Sequence, residues 1–395
     1  MKTKHIILRS RRSATRDVFL GPLATPREAE FPIPDLVVEV DDIERRAISG
    51  LTRETDVVAV APSIPMRLIA PVGQNEAVAA AQQVAWGVKA VGADTSPFTG
   101  NGVVVAVLDT GIEASHPAFS GVEIVEKDFT GEGNGDEHGH GTHCAGTIFG
   151  RDVGGTRIGV APGVRKALIG KVLGKDGGGS SEQICDAILW AIDSGANVIS
   201  MSLGMDFPGY VRILEKQGLP TELATTRALE GYRANTKLFE TLASLARNRA
   251  AFAQATVIVA AAGNESRRKE NPDWEIAVSP PAVAEGIISV AAIGEGAGGL
   301  TVAEFSNTGA NVSGPGVKIV SAALGGGLKA LNGTSMATPH VAGVAALWAE
   351  KLKANGRLNA LELTARVIGS AISDGFQAGF DPFDVGAGLV RAPLA

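Results

Sequence analysis

The rhythm of apolar and polar positions changes near residue 80. Before it, three short apolar runs, HIIL (5–8), DLVVEV (35–40) and DVVAVA (56–61), interrupt stretches rich in arginine, proline and acidic residues. They predict strands, and DDIERRAISGL, between the last two, predicts a short helix opening on acidic residues. APSIPMRLIAPVGQ (61–74) is expected to be extended, because each proline turns its predecessor away from helix. Beyond residue 80, VVVAVL (103–108) is a continuous apolar, β-branched run, as in a strand buried on both faces. RKALIGKVL (165–173), NVISMSL (197–203), TVIVAAA (256–262) and GIISVAAI (286–293) have the same character. Helical patterns lie between them: SSEQICDAILWAIDSG (180–195) puts Ile184, Ile188, Leu189 and Ile192 on one face, with Gly195 as the stop. Strands alternating with helices predict an α/β fold, a parallel sheet with helices on both faces, whose functional loops sit at the carboxyl ends of the strands. No internal repeat is visible.

Composition narrows the class. With 395 residues, 45% of them hydrophobic, the chain can bury a large core. A net charge of −6 without a basic block gives no footprint for nucleic acid or a membrane surface. Fifty glycines suggest tight turns and close helix–strand packing. Two cysteines, Cys144 and Cys185, are too few for a disulfide framework. The sequence offers no apolar run long enough for a membrane span, and its first residues lack a signal-peptide core. A cytoplasmic location is therefore expected, with secretion as the alternative.

Three separated stretches carry candidate chemistry. The run VVVAVL leads into Asp109-Thr110-Gly111, a carboxylate on a rigid strand end, although such an aspartate can simply cap a turn. GDEHGHGTHCAGT (135–147) holds His138, His140 and His143 behind Asp136 and Glu137. These residues could ligate a metal, present one imidazole as a base, or only cap a helix; the spacing departs from the H-E-x-x-H zinc arrangement. LNGTSMATPHVAGVAALWAEKL (331–352) predicts a helix from Ser335, with Val341, Val344, Leu347 and Trp348 at core spacing and Pro339 tolerable near its start. A serine there is commonly a cap, yet the helix dipole also favours negative charge developing nearby. Taken together, Asp109, His140 and Ser335 are the members of a nucleophilic triad in the chain order Asp, His, Ser.

The surrounding residues go further. VAVLDTGI, HGTHCAGT and NGTSMATPHVAG resemble the three signature motifs of the subtilisin-like serine peptidases, and SMSLG (200–204) and AAAGNES (260–266) follow in that family's order. The resemblance covers roughly residues 80 to 395. It implies a three-layer fold and a serine endopeptidase with His140 as base and Asn264 as oxyanion donor. Gly177, Gly178 and Gly179, with Ser202, Leu203 and Gly204, would be the edges that pair with an extended substrate, and Ser279 in SPP (279–281) the floor of the primary pocket. Pro281 is a candidate for a cis bond, and Glu265 would favour basic or polar side chains nearby. Cys144 resembles the buried thiol of the proteinase K-like branch.

The same resemblance sets the remaining expectations. Residues 1–75 would be an inhibitory pro-region, removed by self-cleavage between about Pro71 and Gln82, and 76–395 the peptidase domain. The competing view is a permanent accessory domain. Met205 to about Gln254 is longer than in compact relatives and is read as an added helical segment that shapes the cleft, binds a partner or merely elaborates the surface. The chemistry needs no cofactor and no catalytic metal. Ala118 and Val153 replace residues that many relatives use as calcium ligands, so the usual tight calcium site is not expected, while weaker sites stay open. The expected partners are a protein or peptide substrate and the chain's own pro-region, in a monomer. The rival readings are a maturation peptidase dedicated to one precursor and a catalytically silent peptide-binding module.

Overall fold

In the computed structural model the described residues are 2–11, 35–73, 76–79, 83–249, 255–356 and 358–394. Parts of the expected processing stretch (74–75 and 80–82) and the end of the added helical segment (250–254) lie outside them. The first apolar run forms β1 (Lys2–Arg11), the middle strand of a small antiparallel sheet. It is flanked by β2 (Asp35–Glu44) and β3 (Val57–Pro62). The helix expected from Asp41 begins only at Arg45, as α1 (Arg45–Leu51). Asp41–Glu44 extend β2 instead, because the register sets Asp42 opposite Lys4 and Glu44 opposite Lys2, where unlike charges favour pairing. A further strand, β4 (Pro65–Leu68), leaves this sheet for the body of the molecule.

The body is built on β5 (Val104–Asp109), β6 (Glu123–Asp128), α2 (His140–Phe149) and β7 (Lys166–Lys171). It continues through β8 (Gly178–Ser180), α3 (Ser181–Asp193), β9 (Val198–Met201) and β10 (Leu203–Met205). The added segment forms α4 (Phe207–Lys216) and the 29-residue α5 (Thr221–Arg249). Then come β11 (Val257–Ala261), β12 (Ile287–Gly296), β13 (Gly299–Val302), β14 (Val312–Pro315) and α6 (Thr334–Ala354).

The sheet order is β13-β12-β11-β9-β5-β7-β6, with β14 also beside β12; every pairing is parallel except the β12–β13 hairpin. This is the α/β architecture expected, a largely parallel sheet covered on both faces. Alternate residues of β5 enter separate cores. Val105 and Val107 pack with α2 and α6, while Ala106 and Leu108 pack with α3 and α5. Burial on both faces is why the strand reads as an unbroken apolar run. Ser180 closes a capping box with Gln183 at the start of α3, and the left-handed Gly195 follows its end.

The added helices have a definite partner. Leu238, Phe239 and Leu242 of α5 share one core with Ile6, Leu8, Leu36 and Ala61 of the N-terminal sheet. Asn235 Nδ2 donates to the Pro62 carbonyl at 2.9 Å, and Arg45 pairs with Glu230 at 2.8 Å. Among the described residues no helix is long and apolar enough to cross a membrane.

Candidate active site

The carboxyl end of β5 delivers Asp109 to the centre of the sheet's upper edge, as a parallel sheet requires of its functional loops. The chain then turns at Gly111, in the left-handed region at φ +106°. A side chain at Gly111 would collide with the Gly135 carbonyl, and one at Gly141 with the Gly111 carbonyl. Gly111 and Gly141 thus let the start of α2 lie directly on the strand end. Asp136 fastens the contact. Its Oδ1 accepts from Thr110 Oγ1 and from the backbone of His138 and Gly139, and its Oδ2 accepts from the backbone and hydroxyl of Thr142. It takes the Thr142 amide of α2 and the two amides just before the helix, which suits an anion at a helix N-terminus.

Asp109 and His140 meet within this frame. His140 Nδ1 donates to Asp109 Oδ1 at 2.8 Å, and both side chains are 1% exposed. The same Oδ1 accepts from the Thr110 amide at 2.8 Å. Burial opposes charge on His140, but the Asp109 carboxylate and Cys144 outweigh it and hold the imidazole well above its ordinary value of 6.5. Among the described residues, His140 Nε2 has no hydrogen-bond partner and faces away from the carboxylate.

The other histidines of the cluster part company. His143 Nε2 bonds the Ile319 carbonyl at 3.1 Å, and burial, with Lys329 and His140 nearby, lowers its pKa to about 3. It is a neutral structural imidazole. His138 lies edge-on to His140, with ring centroids 6.2 Å apart. Of the residues first weighed as metal ligands, only His140 belongs to a close group of potential donors, with Asp109 and Cys144. Cys144 lies with its sulfur 3.7 Å from His140 Nδ1, and burial raises its pKa, so it is a thiol rather than a thiolate.

Ser335 opens α6, one residue inside its first turn, and is fully buried. Pro339 has no amide hydrogen, so the Ser335 carbonyl four residues earlier receives no helical bond. That carbonyl instead accepts from Ser202 Oγ at 3.2 Å and from the Cys144 thiol at 3.4 Å. One proline thereby ties the serine to β9, β10 and α2. Asn264 is held from the same helix end: its Oδ1 accepts from the Thr334 amide and hydroxyl, each at 2.9 Å. This fixes the amide so that Nδ2 points outward.

The groove between these groups holds the chain's own residues 65–72. β4 runs antiparallel to both β8 and β10, with Arg67 opposite Gly178 and Gly204, Met66 opposite Gly179, and Leu68 opposite Leu203. The Leu68 amide donates to the Gly177 carbonyl at 2.8 Å and the Ile69 amide to the Ser202 carbonyl at 3.3 Å. Ile69 is buried; its Cδ1 and Ser279 Oγ both abut the bare face of Gly204, so Ser279 lies beside the pocket that this side chain fills. The Pro280–Pro281 bond just beyond is cis. Ser335 Oγ donates to the Ile69 carbonyl at 2.7 Å, while Asn264 Nδ2 donates to the next carbonyl, Ala70, at 2.9 Å. Val72 exchanges two bonds with Asn332, at 2.8 Å and 2.9 Å.

Along residues 65–72 the structure places Gly177, Gly178, Gly179, Ser202, Leu203, Gly204, Ser279, Asn264 and Ser335, while Asp109 and His140 form their own buried pair and His143 and Glu265 are engaged elsewhere. It adds Asp136, Asn332 and Thr334, whose parts were not read from the sequence. Thr334 and Asn332 stand beside Ser335 in the chain, which was the only available signal. Glu265, expected to lend charge to the pocket, has its Oε2 engaged by Asn307 Nδ2 at 2.7 Å.

A strand-end aspartate paired with a helix-borne histidine, with a serine at a helix N-terminus that shares Cys144 as a neighbour, supplies the groups of a serine hydrolase on a parallel α/β sheet. Residues 100–388 match the model of the Subtilase family, Peptidase_S8. The chain is 34% identical over 328 residues to Subtilisin DY of Bacillus licheniformis, covering 80% of this chain and 99% of that protein. It is 32% identical over 375 residues to Alkaline elastase YaB of Bacillus sp. strain YaB, covering 93% and 83%. An Intracellular serine protease of Paenibacillus polymyxa is 34% identical over 258 residues, covering 63% of this chain and 67% of that one. The chain belongs to the subtilase family and is a subtilisin-like serine protease.

Proposed function

We propose that the chain is a serine endopeptidase made as a self-processing precursor, and that residues 65–72 inhibit it by occupying the substrate groove. The observation that carries this reading is the bond from Ser335 Oγ to the Ile69 carbonyl inside a strand paired on both sides. Backbone pairing recognises an extended peptide largely irrespective of its side chains.

Ser335 Oγ attacks the carbonyl carbon of a bound peptide while His140 Nε2 takes the hydroxyl proton; the carbonyl π electrons move to oxygen. Asp109 keeps the Nδ1–H tautomer and stabilises the imidazolium. Asn264 Nδ2 and the Ser335 amide stabilise the oxyanion. Its collapse expels the amine, which receives the proton from His140 and leaves an acyl-enzyme. Water, activated by the same imidazole, then releases the acid. No step uses a metal.

The bound segment fails one requirement of this scheme. Attack needs the nucleophile and the oxyanion amide on a single carbonyl, yet here they engage the neighbouring carbonyls of Ile69 and Ala70. The segment therefore acts as an inhibitor, and the cut falls in the stretch after it, from about Pro71 to Gln82. Ile69 beside Ser279 and the buried Met66 favour aliphatic side chains at the corresponding substrate positions. The reading is tested by incubating the purified chain with a serine-reactive diphenyl phosphonate peptide and mapping the adduct. Labelling at Ser335, lost in His140→Ala together with peptide hydrolysis, is expected. An unlabelled chain that still binds peptide would make it a silent module.

A further inference from the structure

The turn that carries Asn264 is held by a residue with no place in the reaction as written. Asn307 is fully buried, and every polar atom it owns except its carbonyl oxygen is committed to residues 262–266 or to Ala277. Its backbone amide donates to the Gly263 carbonyl at 3.0 Å. Its Oδ1 accepts from the amides of Glu265 at 3.0 Å and Ser266 at 3.1 Å. Its Nδ2 donates to Glu265 Oε2 at 2.7 Å and to the carbonyls of Ala262 at 3.2 Å and Ala277 at 3.4 Å. Gly263 lies at φ +119°, and any side chain there would collide with the Asn307 amide. The neighbouring Ser306 anchors this hub to the central sheet, accepting from the Ala292 amide at 2.9 Å.

We propose that Asn307 is a positioning residue for the oxyanion amide: it fixes the 262–266 turn to the sheet so that Asn264 Nδ2 meets the carbonyl under attack. Thr334 fixes the rotation of the Asn264 side chain, and Asn307 fixes the backbone from which that side chain springs. An asparagine suits the position because two classes of group must be satisfied at once. Its oxygen takes two outward-facing amides, and its nitrogen takes carbonyl and carboxylate oxygens. A carboxylate of the same shape would keep the acceptor, lose the donors and face Glu265 with like charge. Loss of this support displaces the donor from the place where oxyanion charge develops, and displacements of about 1 Å can cost up to roughly 10²-fold in rate. The proposal rests on Asn264 being the oxyanion donor.

The experiment is a mutant cycle on the full chain: parent, Asn307→Asp, Asn264→Ala and the double variant, with competent sites counted by phosphonate titration so that misfolded molecules drop out. Asn307→Asp is expected to lower kcat about ten- to hundredfold with KM for a peptide changed less than threefold. In the Asn264→Ala background the same substitution should cost less than threefold, because there is no longer an amide to position. Adding Glu265→Gln to Asn307→Asp, which supplies a donor to the new carboxylate, should recover part of kcat. If Asn307→Asp costs kcat equally in both backgrounds, or costs nothing, the proposal is overturned while the oxyanion reading stands. If Asn264→Ala itself leaves kcat intact, the oxyanion reading falls and the proposal with it.

Discussion

At the scale of single residues the proposed catalysis turns on the charge state of His140. Burial opposes its protonation, and the Asp109 carboxylate more than compensates, so its pKa lies well above the ordinary 6.5. A base works only when unprotonated, so kcat/KM should fall as pH drops through that raised value. The acid limb should therefore have its midpoint above 6.5. The same shift makes the ion pair stabilising below the unfolded value, a contribution lost as pH rises through the folded one. Asp109→Asn should move the acid limb down and cut kcat by on the order of 10⁴, as in other Ser-His-Asp enzymes. A pH–rate series on both chains checks this; an unmoved limb would mean that another group titrates. The Asp109–His140 pair was legible because each residue sits in a recognisable motif. Asn307 was not, because a lone polar residue in a loop reads the same whether it organises backbone amides or faces solvent; Asp136 stood out only as a candidate metal ligand, because its bonds to the start of α2 are not visible in the sequence.

At the scale of elements, the proposed inhibition rests on β4, which lies between β8 and β10. It gives the groove the backbone pairing that a substrate would give, and the Leu68 amide bond to Gly177 is part of it. Leu68→Pro removes that donor. A net hydrogen bond contributes about 1 kcal/mol, so the full-length variant should hydrolyse a peptide about three- to tenfold faster than the parent before either changes mass. Equal initial rates would show that β4 does not hold the groove shut. The sequence indicated an extended segment here through its prolines, but not where it would lie, since pairing with β8 and β10 spans more than a hundred residues. The misplaced start of α1 has the same origin: acidic residues suit a helix start, yet the lysines of β1 drew them into a strand. The buried strands β5, β9 and β11 were legible because burial on both faces leaves no polar position to interrupt the pattern. β6, EIVEKD, alternates with charged residues at the sheet edge and was missed.

At the scale of the whole molecule, the N-terminal sheet, the added helices and the catalytic body form a single arrangement. The long α5 shares a core with β1, β2 and β3, and the chain passes directly from that core into the groove. The added segment, which the sequence left open between shaping the cleft, binding a partner and elaborating the surface, is the bench on which the N-terminal module sits. The most direct measurement is the intact mass of the purified chain beside its Ser335→Ala variant, followed during incubation at neutral pH. Only the parent should lose an N-terminal piece, ending between about Pro71 and Gln82, and peptide hydrolysis should rise as this piece is lost. If both chains stay whole, the N-terminal module is a fixed part of the protein; if both are cut alike, Ser335 does not drive its own activation.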